Sequence, residues 1–256
     1  MKNILILMAG HGKRFSNYGY TIPKPLIEVN GKTILEWTTE SCPYISHNTG
    51  KQPDDVKLHF AVLSEHLHAP HNLQERLHKI YGKNISVIPF ETVTRGNLET
   101  ARLACNHIDN NEPLLVLDAD NKYNHNGLDS FLEAIPKDLK TMSIFCFTSK
   151  EEKIPNKWCN ARVSNNFALE LREKDDKWIQ YPCLIGIFYF TQVNQFKNYA
   201  DFILQNDAPV GFENKKEFYI SMVPKYHAAI GQPVYVHHVT NVVPLGTPED
   251  VNKFKK

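Results

Sequence analysis

The chain has 256 residues, enough for one large domain or for one domain with a small appended subdomain. Its 42% hydrophobic and 11% aromatic content can bury a sizeable core, which excludes a disordered chain. Its 29 Lys and Arg against 28 Asp and Glu leave a net charge of +1, so no global field points to nucleic acid or to a membrane surface.

Residues 4–8 form a continuous apolar run, the pattern of a strand buried on both faces of a parallel sheet. The run is too short for a signal-peptide core, and no stretch of about 18 apolar residues follows anywhere. It leads into Ala9-Gly10-His11-Gly12-Lys13-Arg14. Residues 33–41 read as a helix, with Thr33 as N-cap and Glu36 closing a capping box. Strands are predicted over 58–63 and 85–89, and helices over 71–81 and 96–107. A fourth apolar strand over 113–117 ends at Asp118-Ala119-Asp120. Strand alternating with helix in this way predicts an open α/β sheet with right-handed crossovers and ligands at the carboxyl ends of its strands.

From about residue 140 the texture changes. Short strands are expected at 142–147, 161–163, 168–171 and 184–190, a helix at 192–204, a strand at 234–239 and a closing helix from Pro248 onward. This half reads as α+β, laid over one edge of the first sheet without a linker. Five scattered cysteines (Cys42, Cys105, Cys146, Cys159, Cys183) with no CxxC pair argue against a disulfide framework or a zinc knuckle. A soluble, cytoplasmic protein is the expectation. His66, His68, His71 and His78 show no ligand spacing and read as a polar surface segment.

Three groups of residues carry chemistry. Gly10 and Gly12 let the backbone approach a ligand and aim N–H groups at it, as a phosphate cradle requires. Arg14 adds a forked cation for phosphate oxygens, and Lys24 is stiffened between Pro23 and Pro25. A glycine-x-glycine turn by itself is more often an ordinary exposed turn. Asp118 and Asp120 at the end of a buried strand suit a hard cation, although Asp is also frequent there for backbone reasons.

The longer string is more specific. Leu7-Met8-Ala9-Gly10-His11-Gly12-Lys13-Arg14-Phe15, then Pro23-Lys24-Pro25-Leu26-Ile27-Glu28-Val29 and Gly31-Lys32, resembles the opening of the sugar-phosphate nucleotidyltransferase family, roughly L-x-A-G-x-G-x-R followed by P-K-P-L. Leu117-Asp118-Ala119-Asp120-Asn121, the Glu173-Lys174 pair, the strand Cys183 to Phe190 and the closing Gly246-Thr247-Pro248-Glu249-Asp250 continue the likeness, which is thin between residues 40 and 90. It implies an open, mostly parallel Rossmann-like sheet of the kind shared with nucleotide-sugar glycosyltransferases, with an α+β C-terminal half. The whole chain would be one domain, 1–256, with a nucleotide-binding half (1–125) and an acceptor-binding half (126–256).

The family pattern also implies roles. Backbone around Met8, Ala9, Gly10 and Gly12 would meet the nucleotide, with Asp118 nearby and Thr94 and Gly96 at the base. Arg14 and Lys24 would grip the triphosphate, Lys174 the acceptor phosphate, and Asp120 a Mg²⁺ ion. Where members often carry a second metal-binding aspartate, Met222 stands here; a thioether is a poor Mg²⁺ ligand, so either Glu217 or another carboxylate substitutes, or the metal site rests mainly on Asp120. Thr247 and Pro248 are accounted for as a helix cap and first turn.

The implied activity joins a nucleoside triphosphate, CTP favoured, to a phosphorylated small molecule with release of pyrophosphate. Phosphocholine-like and phospho-amino-acid-amide-like acceptors are favoured, as in small members that serve bacterial capsule and surface-glycan synthesis. UTP or dTTP transfer to a sugar 1-phosphate is the runner-up. A glycosyltransferase using Asp118-Ala119-Asp120 and an inactive homologue, which only Met222 favours, stay open. The partners are the triphosphate and the acceptor, with no nucleic acid and no membrane. The base, the acceptor and the oligomeric state, a homodimer included, are open.

Overall fold

Apolar residues decide the architecture first. In β1 (Lys2–Met8), Ile4, Ile6 and Met8 enter one hydrophobic cluster while Leu5 and Leu7 enter another. A strand buried on both faces must lie inside a sheet that helices cover on both sides. The computed structural model, which describes residues 2–133, 144–150, 157–212 and 215–255, has this arrangement. Joining β1 are β2 (Val56–Leu63), β3 (Ile85–Phe90), β4 (Leu114–Asp118), β5 (Ile144–Ser149), β6 (Cys159–Ser164), β7 (Phe167–Glu173), β8 (Cys183–Phe190) and β9 (Val234–His238). Their order is β3-β2-β1-β4-β8-β5-β9-β7-β6.

The first four strands are parallel. Then β8 enters antiparallel between β4 and β5, β9 runs parallel to β5, and β7 and β6 return antiparallel. The expectation of a mostly parallel sheet therefore holds for the first four strands and for the β5–β9 pair, while β8 and β7 run opposite to the other strands and make each of their pairings antiparallel. The second half also does not lie over an edge of the first sheet: it continues the same sheet through β8. Uniform apolarity in a strand such as β8 reports burial on both faces and carries no information about direction.

The helices are α1 (Ile34–Glu40), α2 (Leu73–Tyr81), α3 (Asn97–Ala104), α4 (Val193–Asn206), α5 (Met222–Ala229) and α6 (Pro248–Phe254). Leu35 of α1 and Leu73, Leu77 and Tyr81 of α2 cover the Ile4 face. Leu98 of α3, Phe196 and Ile203 of α4, and Val223 of α5 cover the Leu5 face. The predicted capping box forms, with the Glu36 amide donating to Thr33 Oγ1 at 3.2 Å and the Thr33 amide to Glu36 Oε2 at 2.9 Å. The helix expected over 96–107 stops at Ala104 and ends in a tight turn, Cys105–His107. The strand expected from residue 142 is observed from Ile144, with 142 and 143 outside the described residues.

Two features position the site. The chain moves outward from β1 to β2 and β3 and then crosses to β4 on the other side of β1. This creates a topological switch point between the carboxyl ends of β1 and β4, where Leu7 lies beside Asp118. A smaller cluster of Phe15, Ile27, Val29, Ile34, Leu245 and Val251 ties the segments around Arg14 and Lys24 to α6. All five cysteines are buried, and none of them forms a disulfide. Among the described residues, no helix is long and apolar enough to cross a membrane.

Candidate active site

At the end of β1, Met8 and Ala9 are buried, and exposed Gly10 follows them. A Cβ at Gly10 would meet no atom within 4 Å. Gly12 takes φ 61° and starts the one-turn helix Lys13–Ser16, with the Phe15 amide donating to its carbonyl at 2.8 Å. A Cβ there would come within 3.3 Å of the Lys24 Cβ, so glycine also lets the two basic segments close on each other. Phe15 is 1% exposed and anchors the turn, which leaves Arg14 exposed at its head.

Lys24 begins the tight turn Lys24–Leu26, and buried Leu26 and Ile27 pin that turn to the core. Its Nζ donates to Asp120 Oδ2 at 2.8 Å, in an ion pair whose side chains are 23% and 26% exposed. Two residues expected in different roles thus meet directly. The turn that holds Asp120 is fixed by the Leu245 amide donating to the Asp120 carbonyl at 2.7 Å. Asn121 Nδ2 bridges Asp120 Oδ1 and the Ile185 carbonyl at 3.2 and 3.1 Å.

Asp118 is held from two sides. Asn97 Nδ2 donates to its Oδ1 at 3.2 Å, while Asn97 Oδ1 accepts the Ile220 amide at 3.0 Å. Gly186, at φ 74° in the irregular stretch of β8, presses on the other side, and a Cβ there would overlap the carboxylate. Burial, and after it the Asp120 charge, push the Asp118 carboxyl up to about 7. Burial acts the same way on Asp120, but Lys24, with Lys157 and Arg14 behind it, outweighs burial and holds this carboxyl below its ordinary value. The two neighbours divide, with Asp118 pushed toward its neutral form and Asp120 toward its charged form.

Lys174 lies at the other end. It follows β7 with φ 51°, and its amide donates to the Trp158 carbonyl at 3.0 Å. Its Nζ donates to the Tyr219 hydroxyl and sits 4.1 Å from that ring's centroid. The Tyr219 hydroxyl donates in turn to Glu217 Oε2 at 2.9 Å. Burial and the Glu217 charge raise the phenol above its ordinary value, opposed in part by Arg14. Glu217 therefore belongs to the Lys174 group. Met222 is buried at the start of α5, and its neighbour Ser221 donates to Glu173 Oε2 at 2.5 Å. Burial raises the Glu173 carboxyl. Among the described residues, no three His, Cys, Asp or Glu side chains come together as a metal-holding group.

Thr94 and Gly96 are accounted for by the loop itself. The Thr94 hydroxyl is 2.9 Å from the Gly96 carbonyl and 2.6 Å from Thr100 Oγ1. The backbone around Gly96 pairs with Phe218, whose carbonyl accepts the Leu98 amide and whose amide donates to Arg95, both at 3.0 Å. His66, expected on the surface, is 8% exposed and packs edge-on against His71 at 5.7 Å. Sequence reasoning passed over Asn97, Gly186, Glu173 and Lys157. Asn97, Glu173 and Gly186 stand inside segments quoted for the family likeness without a role of their own, whereas nothing local marks Lys157.

The chain belongs to the nucleotidyl transferase family, whose pattern matches residues 3–203 and so takes in Arg14, Lys24, Asp118, Asp120 and Lys174. The match excludes from the first rank the glycosyltransferase weighed from Asp118-Ala119-Asp120. Among solved structures, the chain is similar to a nucleoside-diphosphate-sugar pyrophosphorylase from Vibrio cholerae RC9, with 20% identity, TM-score 0.74, and coverage of 98% of this chain and 99% of that one. An inositol-1-phosphate CTP transferase from T. maritima shows 17% identity and TM-score 0.71 over 100% and 97% of the two chains. A putative glucose-1-phosphate thymidylyltransferase from Bacillus anthracis, in complex with a sucrose, shows 13% identity and TM-score 0.69 over 100% and 94%. At such identities these likenesses establish the shared fold. No curated protein sequence matches the chain.

Proposed function

We propose that this nucleotidyl transferase moves a cytidylyl group from CTP to a phosphorylated small molecule in the cytoplasm. Residues 1–125 serve the nucleotide and 126–256 the acceptor. The observation that supports this best is the contact of Lys24 with Asp120 at the switch point, which joins a phosphate-seeking cation to a charged carboxylate. An acceptor phosphate oxygen attacks the α-phosphorus in line; the new P–O bond forms as the α–β bridge breaks, and pyrophosphate leaves with the electron pair. Arg14 and Lys24 hold the triphosphate and stabilise charge on the leaving group, while Lys174 holds the acceptor phosphate. No side chain needs to act as a nucleophile.

Asp120 offers the hard, ionised oxygen that Mg²⁺ prefers, with Glu217 as the second candidate donor, and such an ion characteristically completes its shell with water and substrate phosphate. Mg²⁺, when bound, would shield the triphosphate from the incoming anion. Uridylyl or thymidylyl transfer to a sugar 1-phosphate is the second reading, favoured by the thymidylyltransferase likeness. Pyrophosphate release, measured with each triphosphate and a panel of phosphorylated amines, amino-acid amides and sugars, tests both. CTP-dependent release with an amine or amide acceptor supports the first reading. Release confined to UTP or dTTP with a sugar phosphate establishes the second, and failure of every triphosphate to bind by calorimetry overturns both.

A further inference from the structure

Lys157 has no part in the transfer derived above, yet both ends of its ion pair are tied to the site. It stands two residues before the first residue of β6, which pairs with β7 so that Cys159 lies opposite Glu173. The Lys174 amide continues that pairing by donating to the Trp158 carbonyl at 3.0 Å, so Lys157 and Lys174 stand on neighbouring ends of one ladder. The Lys157 ammonium donates to Asp250 Oδ1 and Oδ2 at 3.2 and 3.0 Å and lies 5.2 Å from the Trp158 ring centroid. The two charged side chains are only 23% and 10% exposed.

Asp250 is as firmly placed as its partner. Its amide donates to Thr247 Oγ1 at 3.1 Å, in the first turn of α6. That turn is joined to the acidic turn, because the Leu245 amide donates to the Asp120 carbonyl and a Cβ at Gly246 would sit 3.1 Å from Asp120 Oδ2. A largely buried ion pair adds little net stability, since desolvation offsets most of the attraction. What the pair does accomplish is to hold an ammonium beside the site. The two Asp250 oxygens share one side of the ammonium, which leaves N–H donors on its other sides for an anion.

We propose that Lys157 binds the acceptor's phosphate together with Lys174, and that Asp250 is the positioning residue that aims it. The identity of the anion, a phosphomonoester, rests on the nucleotidyl-transfer reading. The test is calorimetric titration of the full chain with inorganic phosphate and, separately, with CTP. Wild type is compared with Lys157→Ala, Lys157→Arg and Asp250→Asn, with Lys24→Ala as the control for phosphate taken up at the triphosphate end, and each variant's Tm is measured.

Losing one charge-assisted hydrogen bond should weaken phosphate binding about tenfold or more in Lys157→Ala while CTP binding stays near wild type. Lys157→Arg should recover much of the loss, and Asp250→Asn should weaken phosphate binding without removing it. Unchanged phosphate affinity in Lys157→Ala, an equal loss for CTP, or no measurable phosphate binding to wild type would overturn the proposal. So would a fall in Tm with phosphate affinity intact, which would reduce the pair to a clamp on α6. If CTP does not bind wild type, the cytidylyl reading fails, while the phosphate comparison still decides the role of Lys157.

Discussion

Lys24 and Asp120 hold each other at 2.8 Å, whereas the proposed reaction places the ammonium on phosphate and the carboxylate on Mg²⁺. Binding must exchange one ion pair for two new contacts, so removing Lys24 has two effects of opposite sign. Lys24→Ala should lower turnover about a hundredfold, the usual scale for losing one preorganised charge at a developing anion. The same variant should bind Mn²⁺ more tightly without nucleotide, read by electron paramagnetic resonance, because Asp120 loses its competitor. Near-normal turnover with unchanged Mn²⁺ affinity would remove the exchange. Asp120→Asn should impair metal-dependent activity far more than Asp118→Asn, since Asp118 already tends toward its neutral form.

Arg14 and Lys174 should separate by substrate. Arg14→Ala is expected to weaken triphosphate binding in the absence of acceptor. Lys174→Ala should leave it almost untouched and raise the apparent constant for acceptor instead. Equal losses of triphosphate affinity by calorimetry would place residues 170–174 in the nucleotide site.

Among the elements, β8 is the joint on which the site depends. It carries the sheet from the parallel half into the mixed half, and its irregular stretch lets Gly186 fit beneath Asp118. Gly186→Ala adds a Cβ at a positive φ and into a carboxylate, so it should cost at least about 2 kcal/mol of stability, by left-handed strain together with overpacking. The same variant should lose activity beyond what its instability explains, because Asp118 and its Asn97 link must shift. Urea unfolding alongside turnover at low temperature checks this, and a stable, active Gly186→Ala protein would show that the contact is dispensable. Neighbouring elements were legible to different degrees. Thr33 and Glu36 announce α1 within four residues, since a capping box is a local device. The direction of β8 depends on strands distant in the chain and has no local signature.

For the whole molecule, acid should find a weak point in β2. His59 is fully buried, and its Nε2 lies 3.1 Å from Asn3 Oδ1 in the adjacent strand β1. Burial lowers the imidazole from 6.5 to about 4, with Lys57 and His107 acting in the same sense. Between those two values the unfolded chain binds a proton that the folded chain refuses. Stability is therefore full above pH 6.5 and falls as the pH drops toward 4. The loss from this one group is up to about 3 kcal/mol. His59→Gln keeps an amide for Asn3 and removes the titration, so its unfolding free energy should fall less over the same window. Parallel pH profiles for the two proteins would refute this assignment.

The sequence by itself determined what is local or repeated along the chain. It identified the buried strand before the glycine loop, the basic residues Arg14 and Lys24, the acidic turn at Asp118 and Asp120, and the family these motifs resemble. Those features follow from period, turn chemistry and residue type, which a short window contains. Only the tertiary structure decided the direction of β8 and its place beside β4, the meeting of Lys24 with Asp120 across 96 positions, and the grouping of Glu217 with Tyr219 and Lys174. It also explained Gly96 and Thr94 through loop packing and brought Lys157 to Asp250. These are contacts between segments far apart in the chain, and their energies depend on burial and distance, which exist only once the sheet has closed around them.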